Sequence, residues 1–576
     1  MTHTKGHIPK IIVVSGGVIS GVGKGTATAA IGRILQEYGY SVTAVKIDPY
    51  INYDAGTLRP TEHGEVWVTE DGGEIDQDLG NYERFLQESL PKKNNITTGQ
   101  IYKELIDKER KGEFLGQTVE FIPHVINEIK RRILDCANSY DITLIEIGGT
   151  IGDYQNFPFL FATKSLEIDL GKDSVCHMLV TYLPVPDHVG EMKTKPTQQA
   201  IRTLNETGIF PDFVLCRAHQ ALDEVRKKKI EAAANINKDY IISAPDVETI
   251  YRIPLNFEKE NLGKKILERL NLPAKKKPNW KEWSRLVERI EKPSKTVKVA
   301  MVGKYVDIGA FTLSDSYISV NQSIEHAAAA LDIGVKIEWI DAKGIEKNGP
   351  DILKNYKGII VPGGFGASGV EGKITAIKYA RENDVPFLGL CFGLQLACVE
   401  YARNVCNLAG AHSTEIDPKT AHPVIDVQPS QKEILEKSQY GATMRLGGYA
   451  AILKKSKILD LYNQTGRLKK DMEMIKELKK RKDAEFRLGI LDKAKDVVLE
   501  RHRHRYEVNP KYVEILEKEG LIFSGHHLRH DNTPLMEFIE LSKHKCFIAT
   551  QAHPEFKSRF GDPSPLYYGF VKACGE

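Results

Sequence analysis

Residues suited to phosphate chemistry lie close to the start of the sequence. Residues 16–26 read G-G-V-I-S-G-V-G-K-G-T, follow a β-branched run, and precede small residues at 27–34 that predict a helix. A glycine loop between a strand and a helix lets backbone N–H groups and the helix N-terminus bind phosphate. Lys24 would reach the β- and γ-phosphates, and Ser20 and Thr26 could add hydroxyls. This stretch therefore predicts a nucleotide site.

The loop departs from the usual P-loop pattern in two places. The first glycine should stand at Val18 but stands at Gly17, and Gly25 occupies the position where a Ser or Thr normally meets magnesium. A glycine-rich turn without a ligand is the alternative interpretation. Such a turn has no need of Lys24, so we favour phosphate binding.

Charged residues that could complete a metal and phosphate site follow the loop. Lys46 lies near the end of a second apolar strand, where ligands of parallel sheets gather. Carboxylates are frequent over residues 62–83, and Asp76 and Asp78 are the natural candidates for a hard cation. Glu146 lies in a third apolar strand, where an acid is costly to bury without a partner. A metal would supply that partner, with a buried salt bridge as the alternative.

A second set of residues predicts nucleophilic catalysis. The run P-F-L-G-L-C-F-G-L-Q places Cys391 in a G-x-C-x-G elbow between a strand and a helix. The helix N-terminus should lower the pKa of this thiol. Far downstream, T-Q-A-H-P-E-F offers His553 and Glu555, two residues apart on what we predict to be an extended segment, so that both side chains point the same way. A free core cysteine is the alternative for Cys391 alone.

Composition and patterning indicate the elements that position these residues. The 576 residues suggest two to four domains, and 80 Lys+Arg against 77 Asp+Glu give no global sign of nucleic-acid binding. Eight cysteines without a C-x-x-C pair favour a reducing compartment. We expect no signal peptide, no membrane span and a cytoplasmic protein. Strands alternate with helices in both halves, which predicts two doubly wound α/β domains.

Five runs in the first half occur together and in order: G-G-V-I-S-G-V-G-K-G, K-I-D-P-Y-I-N, H-G-E-V-W-V-T-E-D-G, E-I-G-G-T-I-G-D and E-M-K-T-K-P-T-Q. Together they resemble the synthetase domain of the CTP synthase family, a P-loop domain similar to dethiobiotin synthetase. The resemblance implies ATP at Ser20, Gly21, Val22, Gly23, Lys24, Gly25, Thr26, Lys46 and Asp78. It implies UTP or CTP at Ser20, Asp153, Tyr154, Gln155, Lys193, Thr194, Lys195, Pro196, Thr197, Gln198 and Lys229. It implies Mg²⁺ at Asp78 and Glu146.

The second half resembles a class I glutamine amidotransferase domain through its cysteine elbow and H-P-E run. By this resemblance Cys391 attacks the glutamine amide carbon, His553 protonates the departing ammonia, and Glu555 orients the histidine. The implied glutamine contacts are Gly364, Phe392, Gly393, Leu394, Gln395, Glu415 and Arg505. Among these, the backbone N–H groups of Gly364 and Phe392 would form the oxyanion hole. The R-H-R-H-R run around Arg505 could otherwise suggest nucleic acid, but here it is better assigned to the substrate carboxylate.

The predicted boundaries are a synthetase domain at 1–270, a linker with one short helix at 271–296, and an amidotransferase domain at 297–576. The segment formed by residues 464–498 is longer than the connection that the family resemblance implies at this place. Within them Leu468, Met472, Ile475 and Leu478 recur at helical spacing with charges elsewhere. We predict an inserted amphipathic helix on the surface of the second domain or against a neighbouring subunit, with a basic arm for nucleic acid as the less favoured alternative.

The resemblance implies ATP-dependent amination of UTP to CTP with ammonia from glutamine. It also implies GTP as an activator, CTP as an inhibitor, a homotetramer, filaments as a further possibility, and no membrane or nucleic-acid partner. Gln155 and Ala233 depart from the residues that the resemblance associates with CTP inhibition. The rival functions are another P-loop amidoligase, such as a cobyrinate amidating enzyme, and a partition-type ATPase. K-T-K-P-T-Q argues against the first, and the second has no use for Cys391, His553 and Glu555.

Overall fold

The computed structural model describes residues 8–59, 63–186, 188, 190–303, 315–364, 366–427, 444–492 and 494–576. The chain divides into a first unit, Met1–Ala55 with Ile75–Val287, and a second unit, Gly56–Glu74 with Glu288–Glu576. We refer to residues 56–74 as the early segment, because it lies early in the sequence and belongs to the second unit. Residue 62 of the predicted acidic stretch and residue 493 of the predicted insertion lie outside the described residues.

The first unit is built on a seven-stranded parallel sheet, as the alternation of strands and helices predicts. Its order is β5-β2-β6-β1-β7-β8-β9, and β3 and β4 form a separate two-stranded sheet. The strands of the seven-stranded sheet are β1 (Lys10–Gly16), β2 (Val42–Asp48), β5 (Asn95–Thr97), β6 (Ile142–Ile147), β7 (Val175–Tyr182), β8 (Phe213–Ala218) and β9 (Ile241–Pro245). By sequence, β3 (Val66–Val68) belongs to the early segment of the second unit, and β4 (Glu74–Asp76) begins at the last residue of that segment.

Helices cover the first sheet because its strands are almost wholly buried. β2 and β6 have no exposed residue, which is typical of parallel strands with both faces packed. The α-helices are Lys24–Glu37, Asp78–Leu86, Thr98–Arg110, Ile126–Ala137, Phe157–Leu170, Lys195–Glu206, Glu224–Ala234, Ile253–Lys259, Leu262–Arg269 and Lys281–Glu291. The last of these lies in the predicted linker, and its Trp283 and Leu286 are buried.

The second unit contains a nine-stranded mixed sheet in the order β11-β10-β12-β13-β21-β20-β19-β16-β17, and a three-stranded sheet β14-β15-β18. Pairing is parallel from β11 to β21 and antiparallel from β21 to β17. The strands are β10 (Lys295–Gly303), β11 (Ile333–Asp341), β12 (Gly358–Val361), β13 (Phe387–Leu390), β14 (His412–Ser413), β15 (Pro423–Val427), β16 (Arg445–Leu453), β17 (Val497–His504), β18 (Tyr506–Val508), β19 (Ile522–Leu528), β20 (Pro534–Glu540) and β21 (Phe547–Thr550).

Two apolar clusters pack on the parallel part of this sheet, one around Phe387 and Leu394 and the other around Leu390 and Tyr567. The α-helices of the second unit are Ile318–Leu331, Ala342–Asn348, Val370–Glu382, Phe392–Asn404, Lys457–Gln464, Arg467–Leu478, Glu485–Leu488, Pro510–Lys518 and Pro565–Gly575. In the described part of the chain, no helix is both long and apolar enough to cross a membrane.

The helix Arg467–Leu478 lies in the stretch predicted to carry an insertion, but its polar face differs from the prediction. Ile475 is buried in a small apolar cluster, as its spacing suggests. Arg467 and Asp471 are also buried, although the pattern assigned the charged residues to the surface. Asp471 Oδ1 lies 2.9 Å from Lys557 Nζ, and Arg467 donates to the Lys557 carbonyl. The apolar face of this helix packs on the second unit as predicted, but the expectation that its charged residues lie away from that face is wrong for Arg467 and Asp471, whose buried contacts tie the helix to the core.

Candidate active sites

The glycine loop in the first unit has the geometry of a phosphate cradle. It joins β1 to the helix Lys24–Glu37, and Gly21 and Gly23 have positive φ angles of 71° and 91° that favour glycine. The Lys24 side chain is buried, and its Nζ donates to the Gly149 carbonyl at 2.8 Å. Burial lowers the pKa of Lys24. Thr26 donates to the Gly23 carbonyl at 3.0 Å, so its hydroxyl closes the first turn of the helix.

Gly25 has a steric reason to replace the usual Ser or Thr. A Cβ atom at this position would lie 2.1 Å from Asp78 Oδ1 and 3.4 Å from Glu146 Oε2. A hydroxyl-bearing residue would therefore compete with these two carboxylates for the same space. The departure from the P-loop pattern leaves room for acidic groups beside the loop.

Lys46 gathers those acidic groups at the carboxyl ends of neighbouring strands. It stands opposite Glu146 in the register of β2 and β6, and its Nζ lies 2.9 Å from Glu146 Oε1. Lys46 Nζ also contacts Asp78 and lies 3.9 Å from Asp48 Oδ1. Tyr82 donates its hydroxyl to the other oxygen of Glu146. Lys46 and Tyr82 thus offset the burial of Glu146 in this structure, as the alternative interpretation expects, and the metal predicted at Glu146 stays a prediction.

Around Lys46 and Lys24, four carboxylates nevertheless outnumber the two lysines; they are those of Asp48, Asp76, Asp78 and Glu146. Burial raises the pKa of Asp48 to about 6 and that of Asp76 to about 7, and neighbouring carboxylates add to both shifts. Burial opposes ionisation of Asp78 too, but Lys46 outweighs it and holds the pKa of that carboxyl below its usual value. A cation would relieve the excess of negative charge at this position. The donor set therefore fits a hard divalent ion.

Besides Ser20 in the glycine loop, the residues predicted for the uracil nucleotide lie on three stretches of the first unit. Thr194 is the N-cap residue of the helix Lys195–Glu206, and it accepts a hydrogen bond from Gln198 at 3.1 Å. Lys193 Nζ lies 3.1 Å from Glu191 Oε2 and lowers the pKa of that carboxyl, and Lys229 adds a smaller shift in the same direction.

The third stretch holds the residues that the resemblance associates with CTP. Asp153 accepts from the N–H and hydroxyl of Thr150 at 2.7 and 2.9 Å. Tyr154 is 97% exposed and Gln155 is exposed as well. Their side chains are therefore open to solvent in the isolated chain.

In the second unit, Cys391 occupies the predicted elbow. It lies between β13 and the helix Phe392–Asn404, with φ 49° and ψ −98°. A positive φ is strained for a residue with a Cβ atom, and such strain is often found at functional sites. Its N–H donates to the Thr550 carbonyl at 2.7 Å, and Gln551 Nε2 lies 3.6 Å from Sγ. The turn thus holds the sulfur at a helix N-terminus, whose first N–H groups lack intrahelical partners.

His553 and Glu555 pair as expected, but not on an extended segment. His553 follows β21, and Glu555 lies in the 3₁₀ helix Pro554–Lys557. The tight turn brings Glu555 Oε1 to 2.7 Å from His553 Nδ1. Burial would lower the pKa of His553, but Glu555 and Cys391 outweigh burial and raise it to about 10. Glu555 and Cys391 therefore both favour the protonated form of His553.

A cavity of about 560 Å³ in the second unit brings the candidate residues together. Gly363 packs between the histidine and the cysteine, since a Cβ there would lie 3.0 Å from His553 Cε1 and 3.8 Å from Cys391 Cβ. Predicted residues that line the cavity are Gly364, Cys391, Gln395, Glu415, Arg505, His553 and Glu555. Phe392, Gly393 and Leu394 follow in the first turn of the helix.

Comparisons with known proteins agree over nearly all of the chain. The family model for the CTP synthase N-terminus matches residues 10–272, and that for glutamine amidotransferase class I matches residues 312–573. The CTP synthase of Pyrococcus furiosus is 48% identical over 568 residues, which cover 98% of each chain. That of Methanocaldococcus jannaschii is 48% identical over 573 residues, again covering 98% of each. The chain belongs to the CTP synthase family.

A solved structure, the Trypanosoma brucei CTPS glutaminase domain with bound acivicin, is 33% identical over 48% of this chain and 94% of that one, with a TM-score of 0.39. Membership of the CTP synthase family confirms the predicted fold class and activity. The chain is a glutamine-hydrolysing ligase whose substrates are UTP, ATP and glutamine.

Sequence reasoning missed several residues around the candidate CTP synthase sites. Tyr82 and Tyr567 donate hydroxyls to Glu146 and Glu555, the latter at 3.4 Å, and Gln551 approaches Cys391. Gln551 lies two residues before His553 and was within reach of motif analysis. The tyrosines carry no local signal, because only the packing of distant elements places them beside the acids.

Proposed function

We propose that the first unit phosphorylates O4 of UTP and that ammonia then displaces the phosphate at C4. Residues 20–26 hold the ATP phosphates through backbone N–H groups, while Lys24 and Lys46 offset the charge of the triphosphate. The observation that supports this assignment is the convergence of the loop, Lys46, Asp78 and Glu146 at the carboxyl ends of neighbouring parallel strands.

Asp78 and Glu146 are the residues we propose for Mg²⁺. Two carboxylates together with phosphate oxygens are a typical environment for this ion in phosphoryl transfer. When bound, Mg²⁺ would neutralise the charge that develops on the transferring phosphoryl group. Lys46, which now pairs with both acids, would be released toward a phosphate oxygen.

For the uracil nucleotide we propose Ser20, Asp153, Lys193, Lys195, Gln198 and Lys229, with Tyr154, Gln155, Thr194, Pro196 and Thr197 shaping the pocket. Lysines carry charge suited to a triphosphate. Lys229 and Lys228 are adjacent, exposed residues of one helix, so they form a matched pair for a test. Lys229→Ala should raise the KM for UTP about tenfold or more, as expected for the loss of a charged contact. Lys228→Ala should leave it unchanged, and equal effects would contradict the assignment.

In the second unit we propose thioester chemistry on glutamine. The Cys391 thiolate attacks the amide carbon, and the His553 imidazolium, held by Glu555, protonates the leaving ammonia. The N–H groups of Gly364 and Phe392 stabilise the oxyanion. Gln395, Glu415 and Arg505, with the helix turn at Gly393 and Leu394, hold the amino-acid end of the substrate, and the arginine pairs with its carboxylate.

Regulation and assembly are further proposals. We propose activation by GTP, inhibition by CTP and a homotetramer that could extend into filaments. The first unit exposes the apolar side chains of Leu115, Tyr154 and Ile168, which are 90, 97 and 75% exposed, and a subunit contact on this unit would cover apolar surface. We also propose a cytoplasmic location, supported by eight free cysteines.

CTP feedback should be weak, because Gln155 and Ala233 differ from the residues associated with inhibition. Both positions are exposed, so the structure offers no compensating buried contact to their side chains in the isolated chain. A CTP titration at fixed UTP measures the effect. Strong inhibition at CTP concentrations far below that of UTP would contradict this proposal.

A further inference from the structure

A row of aromatic rings joins the early segment to His553 within the second unit. Trp67 of β3 is fully buried, and its ring meets Phe556 edge-on, with centroids 5.1 Å apart. Phe556 in turn stacks on the His553 imidazole, with centroids 5.3 Å apart and planes 21° from parallel. Arg501 and Arg559 lie over the Trp67 ring, their Cζ atoms 5.4 and 5.8 Å from its centroid. The histidine ring thus rests on a stack that ends in the early segment.

Arg501 makes a second link between the same two parts of the second unit. Its backbone carbonyl accepts a hydrogen bond from the His553 N–H at 2.7 Å. Its buried guanidinium donates to the Val68 carbonyl at 2.9 Å and to Glu70 Oε1 at 3.2 Å. Glu70 also lies 3.9 Å from Lys557, and burial of this acid is outweighed by Lys557 and Arg501, which lower its pKa. The His553 backbone and ring are therefore both tied to the early segment.

Such support matters because His553 lies just outside regular structure. The 3₁₀ turn after it fixes Glu555 on Nδ1, but a single hydrogen bond leaves the ring free to tilt about that bond. Stacking of Phe556 on the ring face removes this freedom. Proton transfer between a thiol and an imidazole requires close alignment, and a misplacement of about 1 Å can reduce a rate about a hundredfold.

We propose that Trp67 is a positioning residue for His553, so that a segment from the first half of the sequence orients the general acid and base of the glutaminase. Trp67 acts through Phe556 and touches no substrate. The proposal rests on the catalytic role proposed above for His553. It adds that the catalytic geometry of the second unit depends on residues outside the amidotransferase part of the sequence.

The test compares Trp67→Leu with Trp67→Phe in the full chain. The leucine variant removes the ring and keeps an apolar side chain, whereas phenylalanine keeps a ring that can meet Phe556. The readouts are kcat and KM for glutamine hydrolysis, the pH profile of Cys391 alkylation by iodoacetamide followed on its peptide by mass spectrometry, and CTP formation from ammonia. Trp283→Leu, which removes a buried tryptophan of the first unit, controls for general loss of packing.

We expect Trp67→Leu to lower kcat for glutamine hydrolysis about ten- to a hundredfold and to change the pH profile of alkylation. The KM for glutamine and the ammonia reaction should stay within about threefold, and Trp67→Phe should restore kcat. An unchanged kcat and pH profile in folded Trp67→Leu would overturn the proposal. If circular dichroism shows that this variant is unfolded, Phe556→Leu replaces it, with the same expected and contradicting results. Full glutaminase activity in His553→Ala would instead refute the role of His553 itself.

Discussion

Lys24 is the residue on which phosphate positioning depends. Its Nζ is buried beside the glycine loop and now bonds to the Gly149 carbonyl. We predict that Lys24→Ala abolishes CTP formation from both glutamine and ammonia, because activation of UTP precedes the use of either nitrogen source. Lys103→Ala, which removes an exposed lysine of the same unit, is the control. Substantial ammonia-dependent turnover in Lys24→Ala would remove this residue from the ATP site.

Glu555 sets the charge of His553. The pKa of His553, raised from about 6.5 to about 10, means that its protonated form stabilises the fold fully below pH 6.5, and this contribution is lost as pH rises through 10. Glu555 is the group that raises the pKa of His553 most, so Glu555→Gln should lower that pKa. We predict that the change in the rate of Cys391 alkylation at alkaline pH, where His553 loses its proton, then occurs at lower pH. Glu514→Gln, at an exposed position, should leave this change at its original pH. A change that stays at its original pH in Glu555→Gln would show that another group holds the proton.

The roles of single residues were predictable where those residues belong to a contiguous sequence motif. The loop around Lys24, the elbow at Cys391 and the H-P-E run are contiguous, so sequence alone brings their atoms close. The Lys46–Glu146 pair depends on the register of β2 against β6, which no local pattern specifies. Tyr82, which donates its hydroxyl to Glu146, lies on a helix and is 64 residues from Glu146 in sequence.

Among the elements, the strands and helices that alternate along each half were predictable from their apolar runs. The location of the early segment was not, because its charged and glycine-rich sequence gives no sign that it belongs to the second unit. The 3₁₀ turn at Pro554–Lys557 was not predicted either. His553 and Glu555 are two residues apart, and that spacing also places two side chains on the same side of a strand. The location of the early segment and this turn both depend on contacts between residues distant in sequence.

The helix Arg467–Leu478 should contribute to stability through a buried ion pair. Asp471 is fully buried, accepts from the Leu499 N–H at 3.0 Å and pairs with the buried Lys557. We predict that Asp471→Ala lowers the free energy of unfolding by about 3–5 kcal/mol, because it leaves Lys557 poorly compensated. Urea unfolding measures this change.

Glu477 on the same helix supplies the control. It pairs with Lys480 at 2.7 Å, but both side chains are largely exposed. Loss of an exposed pair costs about 1 kcal/mol or less. Equal effects of Asp471→Ala and Glu477→Ala would mean that the helix is a superficial addition, as its sequence pattern first suggested.

In the molecule as a whole, two kinds of chemistry belong to two separately packed units. The loop, Lys46 and the acids lie on a seven-stranded parallel sheet, whereas Cys391, His553 and Glu555 lie on a nine-stranded mixed sheet. Each sheet has its own apolar clusters. A side-chain change at one site should therefore leave the other site folded.

Cys391→Ala tests this division of labour most directly. CTP formation is measured with glutamine and, separately, with ammonium in the presence of UTP, ATP and Mg²⁺. We predict that glutamine-dependent synthesis falls by about a thousandfold or more, as expected when a covalent nucleophile is deleted. Ammonia-dependent synthesis should remain near the unmutated rate. Loss of both activities in well-folded protein, or survival of the glutamine reaction, would contradict the account.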